Sequence, residues 1–345
     1  MNGPESMQTT FNPSCNKGWT KAGGNARKQD IIPYSMRIVF FGTPEFAVET
    51  ASAIYASTRH TVVGVVTAPD RPAGRGLKLR CSPVKEWALS QNLPLEQPDS
   101  LRSEAFLARL DEWKGDCFVV VAFRMLPKVV WSRPSHGTFN VHASLLPDFR
   151  GAAPIHWAIY RGVSKTGVTT FLLDDKIDTG AVLLQTETAI SQDETTGELY
   201  ERLQKMGAKL ALMTLDGLED QKIIPAPQTR EPLYDAPKIT REHQFIPAKA
   251  NALEQYRAFR SMTPFPGSLC RILIDEVIEF KIVKCNYLNS YNKEIIGHCI
   301  ASDRWFVAGP NGALELLELQ WPGKRAMSVK DFLRGTHLKG YYEIV

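Results

Sequence analysis

The sequence predicts an α/β protein: a doubly wound, mostly parallel sheet followed by a smaller domain that we expect to form a β-barrel. Two observations predict this fold. Short apolar runs alternate with amphipathic helical segments as far as residue 222, and from residue 241 the pattern changes to short alternating strands. The length of 345 residues and the hydrophobic fraction of 43% suit a globular chain of two domains.

The individual elements follow from periodicity and end signals. Buried strands are predicted for RIVFFG, HTVVGVVTA, DCFVVVAF, GTFNVHA, TGVTTFLLDD and GAVLLQTETAI. Helices are predicted for PEFAVETASAIYAS, with Pro44 in its first turn, and for SPVKEWALSQN, with Ser82 as its N-cap. A third, long helix opens with the Thr-x-x-Glu pattern of TTGELYERL. Strands that alternate with helices are typical of a parallel sheet covered on both faces.

Four segments are expected along the chain. Residues 1–35 are polar and turn-rich, without the apolar core of a signal peptide, and we expect a disordered extension. A start site at Met36, or a transit peptide with a poor amphipathic pattern, are the alternatives. Residues 36–222 form the first domain and residues 223–240, rich in proline, form a linker. Residues 241–345 form the second domain.

Composition excludes several classes of protein. The net charge of +4 permits a nucleic-acid partner without arguing for one. The six cysteines have no C-x-x-C spacing, so we expect reduced thiols in a cytoplasmic protein and no metal site. No apolar run is long enough to span a bilayer. The nicotinamide and flavin fingerprint G-x-G-x-x-G, the Walker A motif, H-E-x-x-H and G-x-S-x-G are all absent from the sequence.

The stretch FNVHASLLPDFRGAAP places Asn140 and His142 where a strand runs out into a loop. Side chains at i and i+2 of a strand point to the same side, so both can face one cleft. Asn140 can donate a hydrogen bond to an oxyanion and His142 can move a proton. Asp178, in KIDTG, is the best candidate to orient the imidazole. An Asn-x-His pair is also common as a structural feature, and Asp178 equally suits a turn before Gly180.

Two segments are rich in basic residues. Residues 69–80 form a loop with Arg71, Arg75, Lys78 and Arg80 among prolines and glycines, and PGKRAMSVKDFLRG carries Lys324, Arg325 and Lys330. Either segment can be a solvated surface. Either can also reach the phosphates of a nucleic acid.

From about Arg37 to its C-terminus, the chain resembles the methionyl-tRNA formyltransferase family. FNVHASLLPDFRGAAPI is similar to the hallmark of enzymes that use 10-formyltetrahydrofolate, and PDRPAGRG, RAFRSMTPFPG and PGKRAMSVKDFLRG resemble the tRNA-specific members. Many members have a Tyr-Gly pair where this chain has Phe123 and Arg124. The Ile-Asp-Trp segment that opens the second domain of the family is replaced by REHQFIPAKA.

The resemblance implies a Rossmann-like formyltransferase domain and an OB-like tRNA-binding domain. It implies transfer of a formyl group from 10-formyltetrahydrofolate to the methionine α-amine of charged initiator tRNA, without a metal, by a monomeric enzyme. Asn140 would stabilise the oxyanion, His142 would be the general base and acid, and Asp178 would orient it. The implied folate contacts are Phe123, Arg124, Met125, Leu126, Ser144, Leu145, Leu146, Pro147 and Asp174. The implied tRNA contacts are Arg71, Arg75, Lys78, Arg80, Lys324, Arg325 and Lys330.

Two other functions stay open at this point. One is the same chemistry on a nucleotide-linked amino sugar, which the arginine-rich loop and the C-terminal segments argue against. The other is an RNA-binding protein with a degenerate catalytic domain, which the intact Asn140, His142 and Asp178 argue against.

Overall fold

The computed structural model describes residues 35–73, 78–291, 296–301 and 303–343. The predicted extension, apart from Ser35, lies outside these residues. The strands are β1 (Met36–Gly42), β2 (His60–Val66), β3 (Arg71–Ala73), β4 (Lys78–Arg80), β5 (Leu95–Glu96), β6 (Cys117–Val121), β7 (Thr138–His142), β8 (Arg150–Gly151), β9 (Lys165–Leu172), β10 (Val182–Ala189), β11 (Asp235–Ala236), β12 (Ser268–Leu273), β13 (Val277–Leu288), β14 (Gly297–Ala301), β15 (Arg304–Gly309), β16 (Gly312–Gln320), β17 (Met327–Ser328) and β18 (Gly340–Tyr342). The helices are α1 (Glu45–Tyr55), α2 (Pro83–Ser90), α3 (Glu104–Trp113), α4 (Lys128–Trp131), α5 (Pro154–Arg161), α6 (Thr196–Glu219), α7 (Ala252–Ser261) and α8 (Val329–Arg334).

The first sheet has the strand order β10-β9-β7-β6-β1-β2-β5. The five strands from β7 to β5 are parallel to one another, β9 runs antiparallel to them, and the edge strand β10 runs antiparallel to β9. The prediction of a mostly parallel, doubly wound sheet is therefore confirmed. Its strand order reverses between β1 and β6, which is where sheets of this type bind ligands, beyond the carboxyl ends of the strands.

Side chains of β1 alternate between the two faces of the sheet. Met36, Ile38 and Phe40 pack with residues of α1, α2 and α6, whereas Val39 and Phe41 pack with residues of α3 and α4. This period of two, with both faces apolar, is why the strand reads as a continuous hydrophobic run.

Two of the three predicted helix starts are confirmed, whereas Pro44 is the extended residue before α1 and not part of its first turn. The Ser82 hydroxyl accepts a hydrogen bond from the backbone N–H of Lys85 at 3.1 Å. Thr195 and Glu198 form a capping box at the start of α6, in which each side chain bonds the backbone of the other residue.

The second sheet is antiparallel, in the order β12-β13-β16-β15-β14-β18, with β17 paired to β16. The backbone N–H of Leu273, at the end of β12, donates to the carbonyl of Glu343, just after β18, so the two edges approach each other. Trp305 and Phe280 fill the interior, and α7 and α8 pack against it. The sequence predicted the OB-like β domain, which the structure confirms, but it did not predict helices α7 and α8.

The predicted linker is bound to the first domain along much of its length. Ala226 pairs with Val182, and β11 pairs in parallel with β8. We call residues 226–236 the strap. The proposed domain boundaries stay a prediction, but the strap packs as part of the first domain.

Candidate active site

A cavity of about 610 Å³ opens at the carboxyl ends of β1, β6 and β7. Most of the side chains that line it are apolar, and a few polar groups, among them Asn140, His142 and Asp178, converge on it. This volume and this lining are typical of a site for a small organic ligand. The structure therefore brings the three residues predicted to be catalytic into one cleft.

The alternation along β7 places Asn140 and His142 in the cleft. Phe139 and Val141 point into the core that holds α1 and α6, so Asn140 and His142 point to the other face. Asn140 is half-buried, and the side chain of His142 is 8% exposed. Both line the cavity, so the prediction drawn from the i, i+2 spacing holds in the structure.

The tautomer of His142 follows from its partner. Nε2 lies 2.8 Å from the carbonyl oxygen of Phe149. A carbonyl only accepts hydrogen bonds, so Nε2 carries the hydrogen and the neutral ring has its lone pair at Nδ1. Phe149 itself has φ +60°, its backbone N–H donates to the Tyr234 carbonyl at 2.7 Å, and its ring stacks on the Tyr234 ring.

Asp178 reaches the cleft by an indirect route. Strand β9 is antiparallel to β7, with Leu172 opposite Phe139, so it ends beside the start of β7 and not beside His142. The turn formed by residues 173–181 then brings Asp178 back, and Oδ2 lies 3.7 Å from Nδ1 of His142. The same oxygen accepts a hydrogen bond from the backbone N–H of Gly151 at 2.8 Å.

These distances change the role expected of Asp178. A separation of 3.7 Å is too long for a hydrogen bond, and the Phe149 carbonyl already determines which nitrogen carries the proton. The expectation that Asp178 orients the imidazole therefore does not fit the geometry. The carboxylate instead faces Nδ1, the nitrogen at which the neutral ring can accept a proton.

Five of the predicted folate contacts line one side of the cavity: Phe123, Arg124, Met125, Leu126 and Asp174. Arg124 donates from its guanidinium to the Asp99 carbonyl at 3.0 Å and to the Pro98 carbonyl. Asp174 accepts from the Thr179 hydroxyl at 2.8 Å and so helps to shape the turn that carries Asp178. We call this side the donor side.

The other four predicted folate contacts, Ser144, Leu145, Leu146 and Pro147, do not line the cavity. The Ser144 hydroxyl is fully buried and donates to the Asp148 carbonyl at 2.7 Å. The backbone N–H of Leu146 donates to the hydroxyl of Thr169 on β9. These residues hold the loop after β7 against the sheet, because their polar groups are used within the protein.

Sequence analysis missed a second, apolar side of the cavity. It is lined by Pro44, Phe46, Ile155 and Tyr200, from α1, α5 and α6. The rings of Phe46 and Tyr200 meet edge to face, with centroids 5.2 Å apart. These positions look like ordinary core residues in the sequence, so only their convergence at the end of β7 reveals them. We call this side the acceptor side.

His156, which no sequence motif singles out, also lines the cavity. Its Nε2 lies 3.3 Å from the carbonyl oxygen of Phe265, in the second domain. Burial lowers the pKa of His156, and this contact opposes the effect. The residue therefore links the wall of the cavity to the second domain.

The predicted basic loop is a two-stranded hairpin at its base. Arg71 on β3 lies directly opposite Arg80 on β4, and both side chains are exposed. Asp70 anchors the start of the hairpin, because its carboxylate accepts from Lys85 Nζ at 2.5 Å and from the Gln97 amide at 2.8 Å. The Lys85 hydrogen bond is the main reason why the pKa of Asp70 is lowered.

The other predicted tRNA contacts are only partly described. Arg75 and the side chain of Lys78 lie outside the described residues. Lys324 and Arg325 are exposed in the turn between β16 and β17. Lys330 is exposed on α8, with Nζ 3.5 Å from a carboxylate oxygen of Asp303.

One group of potential metal ligands occurs among the described residues, formed by His60, Asp216 and Glu219. The Arg59 guanidinium lies 3.2 Å from Asp216 and 2.6 Å from Glu219. A cation of the protein thus already occupies this acidic group, which is remote from the residues that line the cavity. Among the described residues, no helix has the length and apolarity needed to cross a membrane.

Three features together define a class of enzyme. They are a doubly wound sheet, a cleft that holds an amide, an imidazole and a carboxylate, and a β-barrel-like second domain. A family model described as formyl transferase matches residues 36–215, and one described as formyl transferase C-terminal domain matches residues 238–337. The chain belongs to the formyl transferase family.

Individual relatives narrow the kind of formyl transferase to which the chain is similar. The chain is 43% identical over 304 residues to the methionyl-tRNA formyltransferase of Flavobacterium psychrophilum, covering 87% of this chain and 96% of that protein. It is 40% identical over 326 residues to that of Bacteroides thetaiotaomicron, covering 92% and 99% of the two chains. These relatives confirm the predicted resemblance to methionyl-tRNA formyltransferases.

Solved structures with the same fold are more distant in sequence. A sugar 3N-formyl transferase, WlaRD, matches with a TM-score of 0.60 and 19% identity, covering 85% of this chain and all of that one. HypX of Aquifex aeolicus, in complex with tetrahydrofolic acid, matches with a TM-score of 0.58 and 17% identity, covering 90% of this chain and 51% of that one. At these identities the likeness shows the fold alone.

Proposed function

We propose that the chain transfers a formyl group from 10-formyltetrahydrofolate to the α-amine of methionine carried by initiator tRNA. The observation that carries the proposal is the convergence of Asn140, His142 and Asp178 in one cavity. The identity of 40–43% to methionyl-tRNA formyltransferases over most of the chain supports the choice of acceptor.

The two sides of the cavity suit the two substrates. The donor side, with Phe123 and Leu126, offers an apolar wall for the flat ring system of the folate. The acceptor side, with Phe46, Ile155 and Tyr200, offers an apolar wall for the methionine side chain. Asn140 and His142 lie at the end of the strand that separates these sides, where a formyl carbon and an amine would meet.

The proton steps follow from the ring geometry. Nδ1 of His142 holds the free lone pair, so it accepts a proton from the α-amine as the amine attacks the formyl carbon. The imidazolium is stabilised by Asp178 at 3.7 Å and keeps its Nε2 hydrogen bond to the Phe149 carbonyl. Nδ1 then returns the proton to N10 of the folate as the bond between N10 and the formyl carbon breaks.

Asn140 acts on the oxygen rather than on the proton. As the new carbon–nitrogen bond forms, negative charge develops on the formyl oxygen. The Asn140 amide donates to this oxyanion, a contact that is stronger in the transition state than in the bound substrate. The products are formylmethionyl-tRNA and tetrahydrofolate.

The hairpin of β3 and β4 is the part of the first domain best suited to contact tRNA. Two like charges directly opposite each other on a ladder repel, so Arg71 and Arg80 favour an anion between or above them. The phosphate backbone of the acceptor stem supplies such anions. Lys324, Arg325 and Lys330 are proposed as a second basic surface for the same partner.

A cytoplasmic, monomeric enzyme remains our expectation. The described cysteines, which include the buried Cys117, Cys270 and Cys285, are free thiols. Free thiols suit a reducing compartment.

A formyl-transfer assay with parallel acceptors tests the proposal. Purified protein is mixed with 10-formyltetrahydrofolate and with methionyl initiator tRNA, methionyl elongator tRNA or a nucleotide-linked amino sugar, and products are identified by mass. We expect formylation of the initiator tRNA, with much less transfer to the others. Transfer to the sugar without transfer to tRNA would overturn the assignment of the acceptor. No transfer to any acceptor would overturn the assignment of the chemistry.

A further inference from the structure

Gln228 turns inward from a strap whose neighbouring side chains are exposed. Its Nε2 donates to the carbonyl of Asp178 and to the carbonyl of Gly180, each at 2.9 Å. Its Oε1 accepts from the Arg150 guanidinium, from Nη2 at 2.7 Å and from Nε at 3.1 Å. One amide therefore joins the turn that carries Asp178 to the loop that follows His142.

The backbone of this turn is strained. Asp178 has φ +54°, in the left-handed region that side chains other than glycine seldom adopt. Such a conformation is unfavourable and persists when surrounding contacts enforce it. At Gly180 a Cβ atom would lie 1.7 Å from the Leu172 carbonyl oxygen, so the turn also passes very close to β9.

Two contacts hold Asp178 in this conformation. The backbone N–H of Gly151 bonds its carboxylate, and the Gln228 amide bonds its carbonyl. The first contact aims the carboxylate, and the second fixes the backbone from which the carboxylate projects. Without the second, the strained residue has one fewer constraint, and its carboxylate can move away from Nδ1 of His142.

The strap supports the other partner of the pair as well. Tyr234, six positions along the chain from Gln228, accepts from the backbone N–H of Phe149 and stacks on the Phe149 ring. The Phe149 carbonyl is the group that bonds Nε2 of His142. A single segment thus constrains both the imidazole and the carboxylate, although neither lies on it.

We propose that Gln228 is a positioning residue for the transfer reaction, acting through the backbone of Asp178. This inference rests on the proposed function, because it takes Asp178 to be catalytic. A displacement of about 1 Å at a reacting group can lower a rate about a hundredfold. We therefore expect Gln228→Ala to lower kcat by about tenfold to a hundredfold and to change each KM by less than about threefold.

The variant Gln228→Glu distinguishes the contribution of the accepting amide oxygen from that of the donating amide nitrogen. The carboxylate of this variant still accepts from Arg150 but cannot donate to the carbonyls of Asp178 and Gly180. The proposal expects its kcat to be as low as that of Gln228→Ala. A wild-type kcat in Gln228→Glu, with a low kcat in Gln228→Ala, would assign the effect to the Arg150 contact and overturn the proposal. Gln91→Ala, which removes an amide that bonds Ser90, is the matched control.

A double-mutant cycle with Asp178→Asn completes the test. If Gln228 acts through Asp178, adding Gln228→Ala to Asp178→Asn should lower kcat by less than about twofold. A further loss as large as in the wild-type background would overturn the proposal. Wild-type kcat in Gln228→Ala, with a low kcat in Asp178→Asn, would overturn it while leaving the proposed function intact. A wild-type kcat in Asp178→Asn would instead refute the role of Asp178 in the proposed function. Circular dichroism of each variant verifies that it is folded.

Discussion

Nδ1 of His142 lies 3.7 Å from Oδ2 of Asp178, while Nε2 of the same ring donates to the Phe149 carbonyl at 2.8 Å. The backbone carbonyl therefore orients the imidazole, and the carboxylate faces the nitrogen that gains the proton in the proposed mechanism. In a hydrolase triad one aspartate both orients the imidazole and faces its charged form, whereas here two different groups perform these tasks. It also explains why Asp178 can be useful without a direct hydrogen bond to the ring.

Replacing His142 by alanine tests this reading of the site. Removing the base should lower kcat by about a hundredfold to ten thousandfold, and the donor should still bind. The measurement is initial-rate formyl transfer at saturating substrates, with folate binding followed by fluorescence or calorimetry. His136→Ala, a histidine outside the cavity lining, is the control. Near-normal turnover in His142→Ala would refute its role.

The acceptor side of the cavity predicts that the enzyme prefers tRNA charged with methionine to tRNA charged with a smaller amino acid. Initiator tRNA charged with alanine, instead of methionine, leaves Phe46 and Ile155 without an apolar partner. We expect kcat/KM to fall by about tenfold to a hundredfold, as for the loss of about 1.5–3 kcal/mol of side-chain burial. The measurement is competition between the two charged forms at limiting tRNA. Equal use of both would show that the amino-acid side chain lies elsewhere.

Arg71→Ala should weaken the use of tRNA and leave the donor unaffected. Loss of one phosphate contact should raise the KM for charged tRNA several-fold and reduce the salt slope of log K by about 1. KM for each substrate is measured between low and high salt. Lys165→Ala removes a similarly exposed charge, paired with Glu187 at 2.7 Å at the edge of the sheet, and is the control. Equal effects on both substrates would identify Arg71 as structural.

Gly151→Ala should disturb the contact between the strap and the loop after β7. Gly151 has φ +122°, and a Cβ atom there would lie 2.5 Å from the backbone carbonyl oxygen of Ala236. Separation of β8 from β11 would also move the N–H that bonds Asp178, so kcat and the free energy of unfolding should both fall. Gly340→Ala is the control, since Gly340 also has positive φ, +100°, but a Cβ atom there would have no neighbour within 4 Å. It should lose only about 1 kcal/mol and keep its activity. Wild-type turnover in Gly151→Ala would contradict the importance of this contact.

His298 makes the second domain sensitive to acid. Its ring is fully buried between the Arg271 carbonyl and the Trp305 indole, and burial lowers its pKa from 6.5 to about 4. The unfolded chain binds this proton below about pH 6.5 and the folded chain resists it, so stability is lost as pH falls from about 6.5 to about 4. The lost contribution is about 3 kcal/mol.

Urea unfolding between pH 7.5 and pH 4 measures this effect. His298→Gln should be less stable at pH 7.5 and should have a flatter dependence on pH than the wild type. His337→Gln, at an exposed position, should keep the wild-type slope. An unchanged slope in His298→Gln would show that another group is responsible.

Local signals in the sequence determined a large part of this protein. Apolar runs and caps predicted six strands and three helices of the first domain, because burial and capping act within a few residues of the chain; α3, α4 and α5 were not predicted. The spacing of Asn140 and His142 predicted a shared face, because side chains alternate along any strand. The motif around them predicted the family, and hence Asp178 as the third residue of the site.

The tertiary structure decided how these residues cooperate. Whether β9 runs parallel or antiparallel to β7 depends on long-range pairing, so the sequence, which predicted a turn around Asp178, did not reveal the antiparallel strand that leads into it. The acceptor side gathers core-like residues from three helices, and no local pattern distinguishes them from packing. Gln228 bonds Asp178, which lies 50 residues earlier in the chain. The carbonyl of Phe149 belongs to the backbone, so the type of side chain at this position does not predict its bond to His142. The sequence by itself thus determined which groups can do the chemistry. Only the folded backbone decided which nitrogen of His142 carries the hydrogen, because hydrogen bonds to carbonyls depend on position and not on residue type.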